Sequence, residues 1–344
     1  MLRYRLASAA LIISAALIVV ALDSPWPFGD SPLAPLPGVA ETTVNGSIAT
    51  ENVVPQNTAA SETLAPPCTG CWMVGLGFLL FFGSAIECVG MCAKSPLGSI
   101  TAPALMGCGG VMLAAAVPAF WPVGGSSYPS GCLLGRLGWP LAAGALAQLA
   151  CFAWYMPSYR AHSGDFSRAI LAGWVSIYFG GCFAFAVALR LTGTSGWGLF
   201  LVVGVITITK FSDAGAYFTG RAIGRTKLCP AVSPAKTVEG LLGGMVTAVI
   251  VAWILFGNFA PLVFGSGAVQ ASPLGCIVLG MLLTLAGVWG DLLESIFKRE
   301  MSCKDSGRLL PGLGGLWDVT DSLMPAMVVA YLVIVSGLIQ GPGQ

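Results

Sequence analysis

The sequence predicts an all-α, polytopic integral membrane protein, and three observations carry that prediction. Of 344 residues, 56% are apolar and only 9% are charged, against about 25% charged in a soluble globular chain. The mean hydropathy of +0.83 describes a chain whose solvent is mostly lipid. Apolar runs, each near the ~20 residues that a spanning helix requires, recur from one end of the chain to the other. Sixteen Lys and Arg against fifteen Asp and Glu leave a net charge of +1, which indicates neither an acidic tail nor a nucleic-acid partner.

The first run, residues 6–22, follows Arg3 and Arg5. A secretory signal begins in the same way, but this run is long for a signal core and many spans follow it, so an uncleaved signal-anchor helix over 1–22 is expected. Residues 23–70 change character. Pro, Ser, Thr and Ala dominate, Asp23, Asp30, Glu41, Glu51 and Glu62 are scattered through, and no Lys or Arg appears. That composition predicts a disordered, solvated extracytoplasmic loop. Further spans are expected at 72–92, 100–120, 139–156, 168–190, 196–218, 240–264, 273–297 and 321–340, about nine in all. The division expected is 71–195 for the N-terminal membrane helices and 196–344 for a C-terminal catalytic membrane domain.

Charge sets the orientation, because Lys and Arg accumulate in cytoplasmic loops. With a cytoplasmic N-terminus, only Arg136 and Arg190 fall outside and Lys210 lies within a span, while every other Lys and Arg falls inside. Basic clusters at 221–236 and 298–308 then share the cytoplasmic face.

Most of the eleven Cys, such as Cys108, Cys132, Cys151, Cys182 and Cys276, sit singly in or beside apolar runs, where a thiol is a small hydrophobe. Cys68 and Cys71 form a close pair on the oxidising side, where a disulfide can form; Cys88 and Cys92 are the other close pair. The sole His162 lies in a polar loop, so a Ser-His-Asp triad or a His-rich metal site is not expected.

Three stretches carry charges that lipid should not tolerate. Lys210 and Asp213 interrupt the span 199–221 three residues apart, hence on one face, with Tyr217 and Arg221 continuing it. Each charge at mid-bilayer costs roughly 2.5–3.5 kcal/mol, so they are expected to face each other, a partner helix or a polar cavity. The stretch 221–240 ends in a helix-start pattern, with Ser233 as N-cap, Pro234 at the first helical position and Lys236 in the first turn. Free N–H groups there, with Lys227, Lys236 and Thr237 nearby, would suit a phosphate. Gly240, Gly243 and Gly244 follow as a small-residue face for close helix contact.

The third stretch, 290–323, is the densest. Asp291, Glu294 or Ser295, and Lys298 recur at helical spacing. Lys298-Arg299, Lys304-Asp305, a Gly-rich turn and Asp318-x-x-Asp321 follow. Carboxylates on neighbouring helix ends can share Mg2+, and the basic groups between them can hold phosphate oxygens. Such a set at one membrane face points to phosphoryl or nucleotidyl chemistry.

These blocks resemble the phosphatidate cytidylyltransferase family, integral membrane enzymes that make CDP-diacylglycerol from CTP and phosphatidic acid. SDAGAYFTGR (212–221) with LCPAVSPAKTVEG (228–240) is similar to the family's upstream motif. SIFKREMSCKDSGRLLPGLGGLWDVTD (295–321) is similar to its C-terminal signature. The resemblance covers about the last 150 residues. It departs from the family pattern at Leu313, where a His is usual, and at Val319, where an Arg is usual.

The resemblance implies attack by a phosphatidic acid oxygen on the α-phosphorus of CTP, with loss of pyrophosphate. It implies one or two Mg2+ ions, with a monovalent cation as an addition, on Asp291, Asp318 and Asp321. Lys298, Arg299 and Lys304 would hold CTP phosphates or the leaving pyrophosphate, with Asp305 orienting one of them. Ser233, Lys236, Thr237 and Glu239 would bind a second phosphate. Asp213 and Arg221 would line the cavity between, with Lys227 and Ser295 beside it. The expected setting is a lipid bilayer, a homodimer and a bacterial inner membrane with the site facing the cytoplasm. Alternatives are a lipid-alcohol kinase, a CDP-archaeol synthase, a catalytically silent relative and a transporter. The transporter reading explains Lys210 and Asp213 but not the carboxylates outside the bilayer.

Overall fold

A computed structural model describes residues 70–343 apart from 96–97, 125–127, 130, 161–162, 266, 304 and 308–313, together with Val20, Ala21 and Asp23. The helices in chain order are α1 (Cys71–Ala93), α2 (Thr101–Phe120), α3 (Gly138–Tyr155), α4 (Asp165–Arg190), α5 (Ser195–Ile223) and α6 (Val238–Ala252). A π-helical stretch, Trp253–Phe259, carries α6 into α7 (Ala260–Phe264), and α8 (Pro273–Glu300), α9 (Trp317–Thr320) and α10 (Leu323–Val335) complete the set.

Among the described residues, seven helices are long and apolar enough to cross a membrane: α1, α2, α4, α5, the continuous Val238–Phe264, α8, and Trp317–Val335. The protein is therefore a multi-pass membrane protein. Large apolar side chains such as Leu79, Met106, Leu141 and Trp289 remain exposed on the helices, as the face toward lipid requires. The run expected at 139–156 forms α3, which is not among the seven; Pro140, Gln148 and the terminal Trp154 and Tyr155 dilute its apolarity. The expected helix at 6–22 and loop at 23–70 lie outside the described residues except at Val20, Ala21, Asp23 and Gly70, and so do Cys68 and His162.

Local chemistry sets several boundaries. Thr194 caps α5 by accepting the Trp197 N–H at 3.4 Å, and Ser272 caps α8 by accepting the Gly275 N–H at 2.9 Å, with Pro273 at the first helical position. Between α5 and α6 the chain makes a short antiparallel hairpin, β1 (Lys227–Cys229) with β2 (Ser233–Thr237). A second pair, β3 (Gln270–Ala271) with β4 (Ile339–Gln340), ties the end of the chain to the start of α8.

The hairpin corrects one expectation. Ser233 does not cap a helix; it pairs with Cys229 in β2, and Pro234 and Lys236 are strand residues. The helix starts at Val238, where Thr237 Oγ1 accepts the Gly240 N–H at 3.1 Å. Pairing with β1 satisfies the backbone of 233–237, so the cap moves to the hydroxyl bordering the apolar run.

Two apolar cores form. One joins α1, α2 and α4 around Phe179, Phe183 and Met112; the other joins α5, α6, α8 and α10 around Trp197, Phe256 and Leu279. Helix α5 packs most closely on α6. Gly240 and Gly244 allow this, since a Cβ there would press on the backbone oxygens of Ala216 and Ser212, which bears out the small-residue face. Trp317 is wholly buried, its ring 5.2 Å from Phe179 on α4 and 5.3 Å from Phe297 on α8, so the last span is pinned to both halves of the bundle. Ser84 on α1 and Thr320 on α9 share a buried hydroxyl contact of 2.8 Å at the same junction. Near the end of α4, Arg190 forms a buried ion pair with Asp23 at 2.8 Å.

Candidate active site

The second half of α5, the hairpin, α8 and the α9–α10 junction enclose one cavity of about 580 Å3. The two sequence blocks, about fifty residues apart in the chain, thus face each other. From the first block Asp213, Arg221, Lys236 and Thr237 line the cavity; from the second, Asp291, Lys298, Asp318 and Asp321.

The intramembrane charges are paired, as their cost demands. Lys210 Nζ lies 3.7 Å from Asp213 Oδ2 and donates to the Val319 carbonyl at 3.1 Å and the Ser322 hydroxyl at 3.0 Å. Both side chains are partly exposed to the cavity. Lys236 Nζ meets Asp291 Oδ2 at 2.6 Å and so bridges the hairpin to α8. Arg221 donates to Tyr217 Oη at 3.1 Å, one turn apart on α5.

Lys298 sits between two carboxylates, donating to Glu294 Oε2 at 2.9 Å and to Asp318 Oδ1 at 2.8 Å. The other Asp318 oxygen, Oδ2, accepts the N–H of Gly315 at 2.6 Å and the N–H of Ser306 at 3.1 Å, with the Ser306 hydroxyl at 2.8 Å. Asp318 is therefore fully engaged in holding Lys298 and the Gly-rich turn. Gly314, at φ 96°, adopts the left-handed backbone that lets the turn close over this carboxylate.

Three carboxylates remain together. Oxygens of Asp291, Glu294 and Asp321 lie within 4.8 Å of one another, and Glu294 and Asp321 are buried. Glu294 Oε1 is buried with no hydrogen-bond partner among the described residues. Hard oxygen donors clustered beside an orphaned carboxylate oxygen suit a divalent cation such as Mg2+. The set differs from the expected Asp291, Asp318 and Asp321: Glu294, one turn from Lys298, stands where Asp318 was expected, because Asp318 is turned to Lys298 and the loop.

The remaining expected residues lie at the edges. Ser295 donates to Asp291 Oδ1 at 3.4 Å. Glu239 accepts the backbone N–H groups of Arg225 and Thr226, each at 3.1 Å, so its carboxylate anchors the hairpin's approach. Lys227 in β1, Arg299 and Asp305 are exposed and do not line the cavity, and Ser233 is part of β2. Lys304 and Leu313 lie outside the described residues. Sequence reasoning also passed over Glu87, whose carboxylate reaches the signature loop from α1. A lone acid in an apolar span was the available signal.

A family model described as the cytidylyltransferase family matches residues 68–336. The chain belongs to this family. The match takes in both halves of the bundle, from before α1 to the end of α10, and so extends the likeness well upstream of the two motif blocks. Among curated proteins the chain is 43% identical over 130 residues to the phosphatidate cytidylyltransferase of Haemophilus influenzae, covering 38% of this chain and 44% of that protein. It is 36% identical over 159 residues to the phosphatidate cytidylyltransferase of Bacillus subtilis, covering 46% and 55%. It is 37% identical over 156 residues to the uncharacterized protein YnbB of Escherichia coli, covering 45% and 49%. The chain spans about half the length of the curated relatives it matches.

Proposed function

We propose that this member of the cytidylyltransferase family transfers the cytidylyl group of CTP to phosphatidic acid, giving CDP-diacylglycerol and pyrophosphate in phospholipid synthesis. The observation that carries the reading is the cavity between α5, the hairpin and α8, where Asp291, Glu294 and Asp321 face Lys236 and Lys298. The relatives named phosphatidate cytidylyltransferase supply the substrate class.

In the reaction a phosphate oxygen of phosphatidic acid forms a bond to the α-phosphorus of CTP. The bond from that phosphorus to the bridging oxygen breaks, and pyrophosphate leaves with the electron pair. The phosphate of the lipid is already an anionic nucleophile, so no side-chain base is needed. The protein's work is orientation and charge neutralisation. Lys236 and Arg221, on the hairpin side, bind phosphate oxygens entering from the membrane face. Lys298, fixed by two carboxylates, presents its remaining N–H to the triphosphate. Lys210, held near Asp213, keeps the apolar end of the cavity cationic toward the lipid phosphate. Asp291, Glu294 and Asp321 would hold Mg2+, which supplies neutralisation of the triphosphate and polarisation of the α-phosphate when bound.

We further place the site on the cytoplasmic face of an inner membrane, with the chain as a homodimer. The placement of Lys and Arg supports that orientation. Detergent-purified protein supplied with CTP, Mg2+ and phosphatidic acid should release pyrophosphate only when the lipid is present. Release from CTP and a lipid alcohol instead, without release on phosphatidic acid, would turn the assignment to another lipid acceptor.

A further inference from the structure

The α1 helix lies outside the motif blocks, yet one of its side chains is bonded to the loop that orders the site. Glu87 Oε2 accepts the Trp317 N–H at 3.0 Å, and the Ser306 hydroxyl stands 3.1 Å from the same oxygen. That hydroxyl is also 2.8 Å from Asp318 Oδ2. Ser306 is buried and has one hydrogen to give to two carboxylates, so it couples Glu87 to Asp318 directly.

The two strands of the loop are shaped around the Glu87 carboxylate. A Cβ at Gly307 would collide with Glu87 Oε1, and a Cβ at Gly315 would collide with Glu87 Oε2 and with Ser306 Oγ. Neither position can carry a side chain while Glu87 sits between them. Neighbours on the same helix continue the seam: Ser84 meets Thr320, and Met91 Sδ meets Cys303 Sγ at 3.2 Å. A charged group within a spanning helix carries a cost that lipid contact cannot offset, and here its carboxylate is bonded to Ser306 and Trp317.

We propose that Glu87 is a positioning residue for the transfer reaction. It clamps Ser306 and Trp317, which fixes Asp318, and Asp318 in turn holds Lys298 against the cavity. Glu87 lines no part of the cavity and touches no reacting atom. The inference rests on the cytidylyl-transfer reading for its kinetic consequence, though not for the clamp.

The test compares Glu87→Ala, Glu87→Gln and Ser306→Ala in full-length protein. Gln keeps a carbonyl oxygen able to accept both hydrogen bonds, so Glu87→Gln should stay close to wild type. Glu87→Ala should lower kcat by about ten- to a hundred-fold with little change in KM for phosphatidic acid, the range seen when groups supporting an active site are removed. The losses of Glu87→Ala and Ser306→Ala should not multiply in the double variant, because both act through Asp318. Hydrogen exchange at the amides of Ser306, Gly315 and Trp317 should quicken in Glu87→Ala without substrate. Exchange at the wild-type rate in Glu87→Ala, or unchanged kcat, overturns the proposal. Equal losses in Glu87→Gln and Glu87→Ala overturn it as well, since charge and not the clamp would then be at work. Wild-type protein that releases no pyrophosphate overturns the functional reading, and hydrogen exchange then decides the clamp alone.

Discussion

Lys236 Nζ lies 2.6 Å from Asp291 Oδ2, joining the hairpin to one of the three carboxylates that can hold a divalent cation. A cation held by the three carboxylates would compete with the ammonium for the same oxygen. Replacing Lys236 by Gln should therefore lower the Mg2+ concentration needed for half-maximal turnover while reducing kcat, since the substrate phosphate loses its counter-charge. A Mg2+ titration of pyrophosphate release separates the two effects; a raised Mg2+ requirement would contradict the competition.

Glu294 and Asp318 both bond Lys298, but only Glu294 belongs to the carboxylate trio. Glu294→Gln removes one of the three carboxylates and should raise the half-saturating Mg2+ by about tenfold or more, at least the effect of losing a group that merely supports a ligand. Asp318→Asn should leave that value near wild type and lower kcat instead. The reverse pattern would return Asp318 to the cation site in place of Glu294.

The ion pairs Arg190–Asp23 and Lys210–Asp213 should differ in their effect on stability. Arg190 and Asp23 are buried and 2.8 Å apart, so Arg190→Met leaves a buried carboxylate without its charge partner and should cost about 3–5 kcal/mol. Lys210 and Asp213 are each more than a third exposed to the cavity, and solvent screening holds the cost of Lys210→Met to about 1 kcal/mol or less. Thermal unfolding in detergent should show a much larger drop in Tm for the first variant.

The start of α6 gives a sharp contrast between two hydroxyls. Thr237→Ala removes the cap on Gly240 and should cost about 1 kcal/mol. Ser233→Ala, in the middle of the hairpin, should change Tm very little. A larger effect at Ser233 would favour a helix beginning there.

Much of this was legible in the sequence because membrane helices announce themselves. Length and apolarity alone locate α1, α2, α4, α5, the continuous Val238–Phe264 and α8 within a few residues, since lipid leaves the backbone few other choices. That Lys210 and Asp213 share a face and meet each other, a partner helix or a cavity followed from spacing and the cost of charge; the structure shows the pair and the cavity together. What stayed hidden depends on contacts distant in the chain. Glu294 and Asp318 are both plausible cation ligands by spacing; only the Gly315 and Ser306 amides, arriving from the loop, commit Asp318 elsewhere. Glu87 and Ser306 are 219 residues apart, a separation that no local pattern spans. The hairpin was missed because Ser-Pro-x-Lys reads equally well as a helix entry, and only the opposing strand decides.

The Ser84–Thr320 contact ties the first described helix to the last span across the middle of the bundle. It makes residues 196–344 unfit to be handled as a detachable catalytic unit. Expressed without its partner, that half would lose the Ser84 side of this contact and bare the flank of Trp317 to hydrocarbon. Restoring it by complementation would require residues 71–190 to be co-inserted into the same membrane, so a functional split of this chain is a reassembly problem before it is an enzymological one.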